Sequence, residues 1–176
     1  MHATDPDLFQ TLSAVTLRIA PMPPAFLARV RGGIDDLGQP VERHIAAGGE
    51  PLRDCLRRAS PGEAILLASY CPFTVAGPYK EYGPVFVSAA EQPAAPLDSL
   101  PLAGERPYLA ESFVLRAYSL QERIVDACLS SPRAADTDLA RLFARPDVAF
   151  VLVRFPTYGC YALRVERAWR PMVPIP

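Results

Sequence analysis

Residues 13–20, SAVTLRIA, alternate apolar and polar positions with the two-residue period of a β-strand. Pro23-Pro24 then opens a short helical segment at 25–31, which Gly32-Gly33 ends. A second strand is expected over 41–46, ahead of the turn at Gly48-Gly49. Residues 53–59 read as a short arginine-rich helix stopped by Ser60-Pro61-Gly62. The run AILLASY, 64–70, is short and apolar on both sides, as in a central strand covered on both faces. Residues 85–88 make the next strand.

The stretch 91–107 is proline-rich and aperiodic, and is expected to be an ordered surface loop. It is long for a connection inside a compact domain, and such loops often carry function or mobility. Beyond it the pattern is regular again. Residues 112–118 and 123–129 make a hairpin about 119–122. Residues 136–144 make a helix with Asp136 as its N-cap and Leu139, Leu142 and Phe143 as its apolar stripe. Residues 148–155 and 159–167 make a second hairpin about Pro156-Thr157-Tyr158. Residues 1–12 and 170–176 are expected to be extended tails. The pattern as a whole predicts a single α+β domain over 1–176, with a mostly antiparallel sheet and a few short helices.

Half of the 176 residues are hydrophobic, enough for one domain with its own core. The 18 basic and 19 acidic residues nearly cancel, which argues against a nucleic-acid partner, since such domains carry a basic excess. Lys80 is the single lysine, so nearly every basic residue is arginine. With 20 prolines and much alanine, this points to a GC-rich bacterial coding bias and cautions against giving every arginine a role. No apolar run reaches the roughly 18 residues of a membrane helix, and residues 1–10 lack the basic flank of a secretory signal. The expectation is a cytoplasmic protein, not associated with membranes, with Cys55, Cys71, Cys128 and Cys160 as reduced thiols. No C-x-x-C pair occurs and only His2 and His44 are present, so neither a metal site nor a cofactor is expected.

The last hairpin makes the sharpest geometric statement. With a loop at 156–158, Phe155 pairs with Gly159 and Arg154 lies opposite Cys160. Side chains alternate faces along a strand, so Val151, Val153, Tyr161, Leu163 and Val165 share the apolar face. Arg154, Cys160, Ala162 and Arg164 share the other. A thiol beside a guanidinium is a candidate catalytic nucleophile; the plainer reading is a small buried residue. Arg116 sits in mid-strand, and Arg53 on the expected helix. A buried guanidinium needs an anion. One reading has Arg53, Arg116 and Arg154 converging on a carboxylate or phosphate ligand. The other pairs them internally with Asp54, Glu63, Glu111 or Glu166. The loop 70–82 holds Tyr70, Phe73, Tyr79 and Tyr82, with Gly77 and Gly83, as a ligand lid contributed by Tyr79 and Tyr82 or as a cover for the sheet edge. His44 has no serine or aspartate at a telling distance and reads as structural. No phosphate loop, G-x-S-x-G elbow or H-E-x-x-H motif occurs.

The segments PLRDCLRRASPGEAILLASY, GPYKEYGPVFV, SFVLRAY and VAFVLVRFPTYGCYALRVER, in that order, resemble the bacterial domain-of-unknown-function 1203 family. The resemblance runs over residues 13–168. Many members carry a cysteine at the position before Arg53; here it is Leu52, with Cys55 nearby, so chemistry centred on that position does not carry over. The Gly159-Cys160 pair of the last hairpin is present. The family brings no assigned catalytic residue. Two classes of function therefore stand: a protein binding or acting on a small anionic metabolite through an arginine-lined pocket, and a non-catalytic module that meets a protein partner or a second copy of itself through loop 70–82. A thiol-dependent enzyme using Cys160 is a narrower third.

Overall fold

Ten strands and two helices form within residues 16–93 and 97–168, the parts described in the computed structural model. The first sheet has the order β1 (Leu17–Ala20), β10 (Tyr161–Arg167), β9 (Phe150–Arg154), β7 (Phe113–Tyr118), β8 (Ile124–Ser130), and is antiparallel throughout. The second has the order β2 (Glu42–Ile45), β5 (Ala64–Tyr70), β6 (Gly83–Ser88), β3 (Pro51–Leu52), β4 (Arg57–Arg58). Its single parallel pairing joins Leu52 of β3 to Phe86 of β6. With α1 (Pro24–Arg31) and α2 (Ala135–Ala144), this is the single-domain, mostly antiparallel α+β fold that the pattern predicts, built as two sheets. Residues 13–15, the expected tails 1–12 and 170–176, and residues 94–96 lie outside the described residues.

Every residue of β9, FVLVR, is buried, because the first sheet is covered on both faces. On one face Leu115, Val151, Val153 and Leu163 pack against Leu139, Leu142 and Phe143 of α2. The proline-rich connection closes the same face: Leu97, Leu100 and Leu102 pack on it, and Ile19 N donates to Leu97 O at 2.7 Å. On the other face Tyr118, Phe150, Leu152 and Tyr161 meet Leu66, Ala68, Val85 and Val87 of the second sheet and Phe26 and Val30 of α1. Each such buried side chain contributes roughly 1.5–3 kcal/mol. The centre of the fold is therefore the inter-sheet layer.

Three sequence expectations are corrected. Residues 53–59 are not a helix: 53–56 turn out of β3, and Arg57–Arg58 is the short strand β4. Tertiary partners override the helical pattern: Arg53 N donates to Phe86 O, and the Asp54 carboxylate accepts from Ser88 N and Arg31. Helix α2 begins at Ala135 after Ala134, with no side-chain cap, and Asp136 sits inside its first turn. The third correction is the register of the last hairpin. Phe155 N donates to Cys160 O, Arg154 lies opposite Tyr161, and the ladder slips between Tyr161 and Leu163. That bulge turns Tyr161 to the inter-sheet face, where its ring meets Tyr70 at 5.0 Å.

Two buried carboxylates hold connections to this frame. Asp35 accepts from the N–H groups of Leu37, Gln39 and Ser69, tying the segment after α1 to β5. Glu122 accepts from Thr74 N, Thr74 Oγ1 and Val75 N, tying the loop after β5 to the β7–β8 turn. For both, burial raises the pKa, but these hydrogen bonds outweigh it and hold the carboxyl below its ordinary value. A depressed folded pKa stabilises the protein above the unfolded carboxyl range of about 4 and ceases to do so as pH falls through the folded value. Chemical denaturation should therefore show stability falling as pH drops from about 5 to 3. Asp35→Ala should cost about 2–4 kcal/mol at pH 7, since three donors lose their acceptor, and should flatten that acid limb.

Candidate functional site

The turn between β3 and β4 and the turn between β9 and β10 come from different sheets and far-apart parts of the chain. They meet around an open cavity of about 900 Å³. Arg53 enters it from the first turn, Arg58 from β4, Phe86 from β6, and Phe155 and Cys160 from the second turn. Gly48 lets the wall close: at φ +109 it adopts a left-handed conformation, and a Cβ there would lie 2.9 Å from Pro61.

Arg53 is only 4 % exposed. Its Nε donates to Tyr161 O at 3.0 Å and its Nη1 to Pro51 O at 2.6 Å. Neither acceptor is charged, and no described carboxylate pairs with it. Nη2 has no partner among the described residues and is not among the sealed-off atoms. Burial pushes this guanidinium's pKa down, although an arginine stays protonated. Arg58 is held the same way, by the carbonyls of Gly49, Tyr108 and Pro107. Both guanidinium carbons lie over the Phe155 ring, at 5.3 and 5.0 Å, within cation–π range. The Phe155 ring is backed edge-on by Tyr108 at 5.5 Å. Two acids also line the cavity. The Glu50 carboxylate is turned into the N–H groups of Ala47 and Gly48, which lower its pKa against the opposing effect of burial. Glu111 is exposed.

The three arginines expected to converge do not. Arg154 is buried, bonds Gly159 O at 2.9 Å, and pairs with Glu81. Arg116 reaches the same Glu81 carboxylate at 3.9 Å and lies near Tyr118 Oη. One exposed glutamate from the loop thus serves both, and Arg53 faces a separate cavity. The acids expected as partners are otherwise engaged: Asp54 with Arg31, Glu63 with Arg57, Glu166 with Arg18 and Arg164. Cys160 does not sit opposite Arg154, because of the one-residue shift in register. It is half-buried and borders the cavity that holds Arg53.

Tyr82 and Arg154 line a smaller neighbouring cavity of about 180 Å³, which Cys160 and Tyr158 also border. Tyr79 lines neither cavity; its ring carries the Arg123 guanidinium at 5.9 Å. Phe73 is buried against Tyr118 at 5.3 Å, so the loop presents no apolar surface centred on Phe73. His44 stands on an exposed strand and pairs with Glu42 at 3.0 Å. Reading the sequence missed Arg58, Phe155 and Glu81. Arg58 lies in the arginine-rich run already singled out, but its role depends on a strand where a helix was expected.

No helix among the described residues is long and apolar enough to cross a membrane. No curated protein and no solved structure matches the chain. A family model matches residues 49–167, more than half of the chain, and covers both turns that build the cavity. The chain belongs to DUF1203, a family of proteins of unknown function.

Proposed function

We propose that the protein binds a small anionic molecule with an apolar body in the cavity between the β3–β4 and β9–β10 turns. The observation that carries this reading is Arg53, a buried guanidinium that lines an open cavity with no carboxylate partner among the described residues. Carbonyl acceptors serve its Nε and Nη1 but leave Nη2 unpartnered among the described residues and the charge uncompensated, and an uncompensated buried charge is costly. A carboxylate or phosphate at Nη2 supplies that compensation through a charge-assisted hydrogen bond. Arg58 adds a second positive charge nearby. Phe86, Phe155 and Pro84 offer an apolar wall for the rest of the molecule, and Ser112 and Thr157 offer hydroxyls. The volume of about 900 Å³ lies within the range of small-molecule sites, about 300–1,000 Å³. Arg116 and Arg154, already served by Glu81, are not part of this anion site.

Titration calorimetry with phenyl phosphate and phenylacetate provides the test. At least one should bind, and Arg53→Met should weaken it by about tenfold or more, in line with one lost charged hydrogen bond. Because Arg53 also joins the two sheets, Phe155→Ala serves as an independent variant and should weaken binding too. Arg116→Ala should leave the affinity unchanged. Absence of binding by the wild-type protein, or full affinity in folded Arg53→Met, would overturn the reading.

A further inference from the structure

We propose that Cys160 is a nucleophile for small anions that carry an electrophilic carbon, and that Arg53 steers them to it. This rests on the reading of the cavity as an anion site and names the class of molecule that site would take. Cys160 borders both the large cavity and the small one beside it. A nine-tenths-buried arginine stands on each side. Arg53, without a counter-charge and with Nη2 unpartnered among the described residues, lines the first together with the thiol. Arg154, whose Nε has no hydrogen-bond partner, lines the second.

The surroundings of the thiol are open to a ligand. Cys160 Sγ makes a loose hydrogen bond of 3.8 Å to Tyr158 O. The adjoining Gly159 has no atom within 4 Å of where a Cβ would stand, so a molecule can approach the backbone there. None of the other three thiols lines the large cavity. The thiolate is the attacking form. In the step proposed, Cys160 Sγ forms a bond to the electrophilic carbon as that carbon's bond to its leaving group breaks. The leaving group departs with the bonding pair, and the thiol proton passes to solvent. Arg53 holds the anionic group of the incoming molecule, which raises its local concentration at Sγ.

The test compares two alkylating agents of one mechanism, anionic iodoacetate and neutral iodoacetamide, with rates followed at each cysteine by peptide mass spectrometry. In the folded protein, Cys160 should be the fastest of the four. Its iodoacetate-to-iodoacetamide rate ratio should exceed that of Cys128, and that of Cys160 in the urea-unfolded chain, by about tenfold. Arg53→Met should bring the ratio down to the unfolded value. Should that variant fail to fold, protection decides: saturating phenyl phosphate should slow iodoacetate at Cys160 of the wild-type protein several-fold. Equal ratios in the folded and unfolded chains, or unchanged alkylation under phenyl phosphate that does bind, would overturn the proposal while leaving the anion site standing. Failure of phenyl phosphate and phenylacetate to bind at all would remove both.

Discussion

The hydrogen bond from Arg53 Nε to the carbonyl of Tyr161 joins the two sheets where neither ladder can. The β9–β10 pairing slips between Tyr161 and Leu163, and the carbonyls of Tyr161 and Ala162 find donors outside the ladder. Arg53 takes the first and the buried Tyr108 hydroxyl takes the second at 2.8 Å. A buried carbonyl left without a donor would cost about 1–3 kcal/mol, so these two side chains make the bulge tolerable. Arg53 N also donates to Phe86 O, which fixes β3 beside β6. One residue therefore sets the register of the small hairpin in the second sheet and stabilises the irregular strand of the first. The large cavity lies where these two constraints meet.

The partners of the arginines differ in charge. Arg31, Arg57, Arg154 and Arg164 each face a carboxylate, which cancels the charge as well as satisfying the hydrogen bonds. Arg53 and Arg58 face carbonyls only. A carbonyl accepts a hydrogen bond but carries no net charge, so both guanidinium groups keep their positive field in partly dry surroundings, where such fields act most strongly. Phe155 between them offers a ring face to each cation and an apolar wall to the cavity. This pairing pattern, more than the number of arginines, gives the site its chemical character.

The loop after β5 is held at two places by acids of opposite circumstance. Near its start the buried Glu122 collects the N–H groups of Thr74 and Val75. Near its end the exposed Glu81 reaches Arg154 and Arg116 of the first sheet. The aromatics follow the same division: Tyr70 and Phe73 are buried between the sheets, and Tyr79 and Tyr82 stay outside. The loop thus belongs to the inter-sheet layer at its root and to the surface at its tip.

Most strands were legible from the chain because burial imposes a period. ILLA of β5 and FVLV of β9 are apolar at successive positions because both sides of these strands are wholly or half buried, and the stripe of α2 recurs at helical spacing because one side of the helix is buried. The family, too, was visible in the order of four short segments. Three things were not legible. Residues 53–59 carry a helical composition, yet they form a turn and the short strand β4 because Phe86, Ser88 and Arg31 supply partners that lie far away in sequence. The bulge at Tyr161–Leu163 shifts one residue and so changes which side chains share a face, a displacement that alternation along a single strand does not reveal. Which arginine meets which acid depends on distances across the sheets: Glu81 took the two arginines expected to grip a ligand and left Arg53 without one. Local pattern determined the elements, since each depends on its own periodic burial. Tertiary structure alone brought Arg53 to Cys160, since that meeting depends on contacts more than a hundred residues apart.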